Sequence, residues 1–494
     1  MRKLYIAIPL IFLFQPSRAQ DIDTIVSHAV DKFKTSGASM GLSVGVVDSG
    51  KISFYHFGSI QKGVVTPPSN ETIYEIGSVT KTFTSLLLAQ AVLDHRAKLT
   101  NDVRTFLRGK YPNLQYKGAP IGLMQLANLT SGLPNNLPEK IPAFKSADEI
   151  GQLFEIRSIH DAYTKHQFLK DLHAVILTQR PGLAIAHSNT AAQLLGFTLE
   201  NIYDSSYQKL LAKFITIPFK LDNTYVVVPT EKRVHYAHGY NDKGISMPDI
   251  PQDAAAAGIL KSSLPDMVTY VKLQLTEQDD RIKLVHQPTW GEPGDVAVGL
   301  NWMVKTNFDG QRKIWASGGT FGQSCYLCFY PERKFGIVIL SNESDGGTED
   351  RLSNLAQTVY NERFFTNDQR LAEGFGFSSP INRLLDSLNK RGFENAISVM
   401  TEVKKESPTF KLYENEVNLW GYHYYFKGQK EKALEIFKLN VNLYPLSANT
   451  YDSLAETYEE LGDKSNAIKN YEKEIELSPG NKDIEDHLKK LKVR

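Results

Sequence analysis

Apolar positions along the first three quarters of the chain fall into short strand-like runs near both ends, with helical spacing between them. Residues 21–34 place apolar side chains at helical spacing and predict a helix. Residues 41–47 and 52–57 are strand-like runs on either side of Asp48-Ser49-Gly50, which predicts a hairpin. A second strand pair is expected at 324–330 and 335–340, joined by Pro331-Glu332-Arg333-Lys334. Residues 351–364 then return to helical spacing. Strands near both ends with helices between them predict an α+β domain. Its antiparallel sheet would be closed by the first and last segments and carry flanking helices and a helical subdomain.

Beyond residue 380 the pattern repeats. Tyr424, Gly428, Ala433, Phe437 and Pro445 recur as Tyr458, Gly462, Ala467, Tyr471 and Pro479, each 34 residues on. Small residues where two helices cross, with proline after the second helix, resemble tetratricopeptide repeats. A degenerate earlier copy carries Ala396 and Pro408. An unrelated helical bundle is the alternative. Residues 381–494 hold 18 Lys+Arg and 19 Asp+Glu, a charge density suited to exposed helices. Repeats of this kind stack on one another and often present a concave surface to a protein partner. Residues 366–380, with Gly374, Gly376 and Pro380 and little periodicity, are read as a linker between a domain at 20–365 and the repeats.

The first nineteen residues have another pattern. Arg2 and Lys3 precede an apolar run at 4–14, and Ser17-Arg18-Ala19 follows. This is the layout of a secretory signal peptide cleaved before Gln20. The run is too short to cross a ~30 Å hydrocarbon core. The expected location is therefore periplasmic or secreted, with no membrane span after cleavage.

Composition narrows the function. The 494 residues carry 56 Lys+Arg against 55 Asp+Glu, so nucleic acid is not an expected partner. Only two cysteines are present, which excludes a disulfide scaffold and a multi-cysteine zinc site. Cys325 and Cys328 fall in an expected strand, where positions three apart face opposite ways, so they read as buried thiols. No metal-ligating spacing and no phosphate-cradling glycine loop occurs, so no metal or cofactor is expected.

The candidate chemistry centres on Ser78. Ser78 and Lys81 lie one helical turn apart on the same face, just before an apolar helix at 85–93. Such a lysine can take the serine proton if burial or nearby cations hold its pKa near neutral. The spacing alone is weak, because Ser59/Lys62, Ser206/Lys209 and Ser387/Lys390 share it. Gly77 before Ser78 and Thr80 after it distinguish this copy.

The run Gly77-Ser78-Val79-Thr80-Lys81 resembles the active-site motif of the serine β-lactamase-related family, which includes class C β-lactamases, D,D-peptidases, D-aminopeptidases and esterases. Further segments follow in the family's order. Thr130-Ser131-Gly132-Leu133-Pro134 is followed by Pro181-Gly182, His187-Ser188-Asn189 and Leu194-Leu195-Gly196. Then come Ala257-Gly258 with Ser262, Ser263 and Asp266, next Gly299-Leu300-Asn301-Trp302, and last a strand around residues 315–324. The likeness spans residues 22–364 and implies an acyl-enzyme serine hydrolase.

Two positions depart from the family pattern. His187 stands where the second motif has tyrosine. Ala316-Ser317-Gly318 stands where the third motif opens with lysine or histidine, so its cation is missing. An imidazole needs no neighbouring cation to act as a base near neutral pH, whereas a tyrosine does. A Ser78–Lys81–His187 relay is therefore expected, with His187 as base. By resemblance, Asn189 would bind Lys81 or a substrate amide. The N–H groups of Ser78 and Gly319 would form the oxyanion hole. Gly318 would let substrate approach the strand, and Ser317 could donate to a substrate carboxylate. Loss of the third-motif cation weakens carboxylate recognition. That favours an ester, or an amide lacking that group, over a β-lactam or D,D-peptide. The rival reading is a catalytically impaired protein that serves as a binding or scaffold module through its repeats.

Overall fold

Alternation of large apolar residues builds the central sheet of the computed structural model, which describes residues 21–35, 41–139, 141, 143–251, 253 and 255–493. The expected signal peptide, residues 1–19, lies outside the described residues. The sheet has eight strands: β1 (Gly41–Asp48), β2 (Lys51–Gly58), β3 (Trp290–Gly291), β4 (Ala297–Val298), β5 (Met303–Thr306), β6 (Arg312–Gly319), β7 (Ser324–Tyr330) and β8 (Phe335–Ser341). Their order is β2-β1-β8-β7-β6-β5-β4-β3, and every pair is antiparallel. The β1–β2 turn places Ser49 and Gly50 at φ of 52° and 92°. The first hairpin docks on the last strand, with Val44 opposite Ile339, as the sequence pattern predicts. The short strands β3 to β5 were not anticipated, because two to four residues are too few to show a period.

The two sheet faces are covered by different helices: α1 (Ile22–Thr35), α2 (Thr80–Leu93), α3 (Asn189–Tyr203), α4 (Leu264–Thr276) and α5 (Thr348–Phe364). Along β8, Val338 and Leu340 join a core with α2, α3 and α4, while Ile337 and Ile339 join a core with α1 and α5. The two cysteines of β7 obey the same rule. Cys325 packs in the first core and Cys328 in the second, both as free thiols. Burial raises both thiol pKa values. Helix α2 is buried on every side, Lys81 included, which explains why its sequence lacks a polar face.

The expected linker is more ordered than its sequence suggested. Thr366 and Gln369 form a reciprocal cap that starts a one-turn helix at Asn367–Leu371. Phe365 and Phe375 both pack on Phe308 of the first domain. The tail is all helical. The pair Glu414–Phe426 and Lys430–Leu443 recurs as Ala448–Glu460 and Lys464–Leu477, each boundary 34 residues later. Ala433 and Ala467, at matching positions on the second helix of each pair, are fully buried. The tail touches the first domain through a polar seam. Lys411 and Tyr413 bind Glu292, at 2.6 and 3.1 Å, and Asn415 binds Asp295.

Candidate active site

Ser78 sits in a 3-10 turn, Gly77–Val79, that runs straight into α2. The turn is pressed against the end of β6, and two glycines permit the contact. Gly77 has φ of 49°, and a Cβ there would lie 2.7 Å from the Gly319 carbonyl oxygen. A Cβ on Gly318 would lie 2.6 Å from the Ser78 nitrogen. Gly318 is therefore buried against the nucleophile turn, and it is Gly319 that is exposed at the strand end. The bare third-motif positions serve internal packing first, whereas the sequence reading assigned Gly318 to substrate approach.

Lys81 lies beneath Ser78 with three acceptors around its amine. Its Nζ is 2.7 Å from Ser78 Oγ, 2.8 Å from Asn189 Oδ1 and 2.8 Å from the Ala257 carbonyl oxygen. Burial lowers its pKa to about 7, against an opposing pull from the Glu349 carboxylate. In its neutral form the amine can keep two of these bonds as donor and accept the serine proton at the third. Of the four Ser-x-x-Lys copies, only this one places lysine on serine. Ser59 Oγ bonds backbone carbonyls instead, and neither Ser206 nor Ser387 has a bond to its lysine among the described residues.

His187 approaches from the other side. Its Nε2 is 3.4 Å from Ser78 Oγ, and its Nδ1 is 2.8 Å from Asn135 Oδ1. With an amide oxygen facing Nδ1, the proton belongs on Nδ1 and the Nε2 lone pair faces the serine. Crowding by the cleft walls, and then the Lys81 ammonium, push the imidazole pKa below its usual value. The ring nonetheless keeps an exposed outer edge.

The segment carrying His187 and Asn189 is held by the loop that follows the short helix Leu123–Ala127. Ala186 N–H donates to Leu129 O, Ser188 Oγ to Pro134 O, and Thr190 N–H to Asn135 O. Asn189 Nδ2 donates to Asn136 Oδ1, which leaves Asn189 Oδ1 for Lys81. Asn301 ties α2 down from behind, through Lys81 O and Ser85 Oγ.

Three residues of the site escaped the sequence reading. Asn135 and Asn136 directly follow the Thr130–Pro134 segment, and that adjacency was the available signal. Glu349, on the first turn of α5, had none. Its carboxylate accepts a hydrogen bond from Ser317 Oγ and lies beside Gly319. Ser317 is thus engaged by an acid from its own chain, where the sequence suggested a donor to substrate carboxylate. Ala316 is buried and faces no partner of this kind.

Beside Ser78 opens a cleft of about 550 Å³. Leu137, Ile156, Phe168, Phe197, Ile250 and Phe321 are its large apolar lining residues, Lys165, Gln193 and Thr320 also line it, and Asn189 and Gly319 border it. His160 and Asp253, 2.8 Å apart, supply a polar patch. His187, Ser317 and Glu349 are not among its lining residues. Ser78 therefore stands between a largely apolar cleft and a polar side. Among the described residues no group of His, Cys, Asp and Glu could hold a metal ion.

Comparison with known proteins gives the family and the fold. The Beta-lactamase family model matches residues 26–361. The chain is 26% identical over 364 residues to Protein flp of Staphylococcus aureus (strain MRSA252), covering 70% of this chain and 67% of that protein. It is 25% identical over 365 residues to a Beta-lactamase of Escherichia coli (strain K12), covering 66% of this chain and 90% of that protein. A beta-lactamase/D-alanine carboxypeptidase from Yersinia pestis, solved with citrate, superposes with a TM-score of 0.58 at 22% identity. It covers 69% of this chain and 99% of that one. The Pseudomonas syringae beta-lactamase/D-alanine carboxypeptidase gives the same TM-score at 24% identity, covering 69% and 98%. These superpositions speak for the fold. The sequence match takes in the serine, the lysine and the strand end that meets them, and the chain belongs to the beta-lactamase family.

Proposed function

We propose that this protein is an exported serine hydrolase that acts through an acyl-enzyme on an ester or an amide. The observation that carries the reading is the 2.7 Å approach of Lys81 Nζ to Ser78 Oγ, with the amine held near neutral pKa. Neutral Lys81 takes the Ser78 proton as Oγ bonds to the substrate carbonyl carbon. The N–H groups of Ser78 and Gly319 hold the resulting oxyanion. The bond to the leaving group then breaks, and the leaving group gains the proton by way of His187. In the second half, water attacks the acyl-enzyme and gives its proton to Lys81. The acid departs as the proton returns to Ser78 Oγ.

This division of labour differs from the one expected from sequence. Lys81 is both closer to Ser78 and more basic than His187, so Lys81 is the base. An imidazole of low pKa is better suited to donating a proton than to holding one. The acyl group would occupy the apolar cleft. The leaving group would lie on the opposite side, where His187 can reach it. The helical tail, read as tetratricopeptide-like repeats, would localise the enzyme through a protein partner after export.

Intact-protein mass spectrometry tests the reading. The protein is incubated with a fluorophosphonate, with a penicillin and with p-nitrophenyl acetate, and each experiment is repeated on Ser78→Ala. A single adduct that disappears in the variant is expected. No adduct with any reagent would overturn the reading in favour of a non-catalytic scaffold. The reagent that turns over distinguishes ester from β-lactam chemistry.

A further inference from the structure

Glu349 places a carboxylate beside the strand end that meets Ser78, outside the lining of the apolar cleft. Its carboxylate is exposed, accepts the Ser317 hydroxyl proton and lies against Gly319, whose N–H is assigned to the oxyanion hole. Among the described residues no ion pair holds it, although most buried or half-buried carboxylates of this domain are matched, as Asp345 and Glu343 are by Arg351. Glu349 also acts on Lys81 through space. The neighbouring strand position that could have supplied a cation is Ala316, buried and neutral. The polar side of Ser78 thus presents an uncompensated negative charge at the mouth of the site. An anionic substrate group placed there would meet like charge and a serine hydroxyl already engaged. A cationic group would meet a free carboxylate.

We propose that the enzyme selects substrates whose leaving group carries an ammonium centre, and that Glu349 is the residue that selects them. The inference rests on the hydrolase reading and adds to it the class of leaving group. The bond broken is that between the acyl carbon and the heteroatom of an amino-alcohol, amino-thiol or diamine. The amine portion leaves with the proton relayed from Ser78.

The test uses three thioesters with one acyl group: acetylthiocholine, its uncharged isostere 3,3-dimethylbutyl thioacetate, and S-acetyl-3-mercaptopropionate, which is anionic. Thiol release gives kcat/KM for each. A single unit charge at an exposed site is worth about fivefold in kcat/KM, so acetylthiocholine is expected to exceed the neutral thioester by about that factor at low salt. The preference should shrink as ionic strength rises. In Glu349→Gln the ratio of charged to neutral thioester should fall to about one, each variant being referred to its own neutral rate. In Glu349→Lys the anionic thioester should become the better of the charged pair. Equal use of the cationic and neutral thioesters by the native protein would overturn the proposal and leave the hydrolase reading standing. A preference that survives Glu349→Gln would do the same. No thiol release from any thioester, with no fluorophosphonate adduct on Ser78, would overturn the hydrolase reading and this proposal together.

Discussion

At Lys81, burial does the work that a third-motif cation does elsewhere. Removing an ammonium from water lowers its pKa without help from a neighbouring charge. Lys81, in the first turn of α2 and held against the Ala257 carbonyl, is so placed. Below about 7 the amine carries a proton and cannot accept another from Ser78. The value of kcat/KM for a neutral ester should therefore fall about tenfold per pH unit on the acid side of neutrality and level off above it. An acid limb near pH 4 in its place would name His187 as the base. His187→Ala should lower acylation by about 10²- to 10⁴-fold while leaving the limb where it was, because its role is to pass a proton on. Residues at this scale were unevenly legible. Ser78, Lys81, His187 and Asn189 lie in short runs whose spacing shows, and the structure links them in one chain of contacts, His187 to Ser78, Ser78 to Lys81 and Lys81 to Asn189. Glu349 meets Ser317 across 32 positions. No local pattern marks such a pair, because the contact is made by the packing of α5 on the sheet.

The nucleophile turn and the end of β6 behave as one element made from two distant pieces of chain. Their separation is set by missing side chains at Gly77 and Gly318. The β-lactamase fold tolerates nothing larger there in this chain, since the nearest atoms are backbone and cannot rotate away. Gly77→Ala adds a left-handed backbone penalty of about 1–2 kcal/mol to the clash with Gly319. It should lower the melting temperature and also suppress fluorophosphonate labelling. Gly319→Ala meets only the far end of Glu349 and Ser344, and should fold normally. The helices at Ile22–Thr35 and Thr348–Phe364 and the two long hairpins could be read from period. The helix that places Ser78 showed as an apolar run instead, whereas β3 to β5 gave no signal and take their form from the ladder in which β6 pairs β5, β5 pairs β4 and β4 pairs β3.

Across the whole molecule, the beta-lactamase domain and the helical tail have separate cores joined by a polar seam and one aromatic cluster. Trp420 is wholly buried in the tail core. Trp420→Ala should cost the tail about 3–5 kcal/mol and remove a helical unfolding transition by circular dichroism, while Ser78 still labels. Loss of labelling would instead tie the tail to the cleft. The 34-residue spacing in the sequence matches the interval at which the tail's helix boundaries recur. Within residues 366–380 the Thr366–Gln369 cap had a local spacing, whereas the packing of Phe375 on Phe308, far upstream, had none. The closure of the sheet by its own extremities bears on the timing of folding. The edge of β1 away from β2 has no partner strand until β8 has been synthesised, since Val44 pairs with Ile339. Contacts this remote form slowly, so the chain stays unfolded for most of its synthesis. A ribosome halted anywhere before residue 335 would hold a nascent chain with an unpaired, aggregation-prone strand edge.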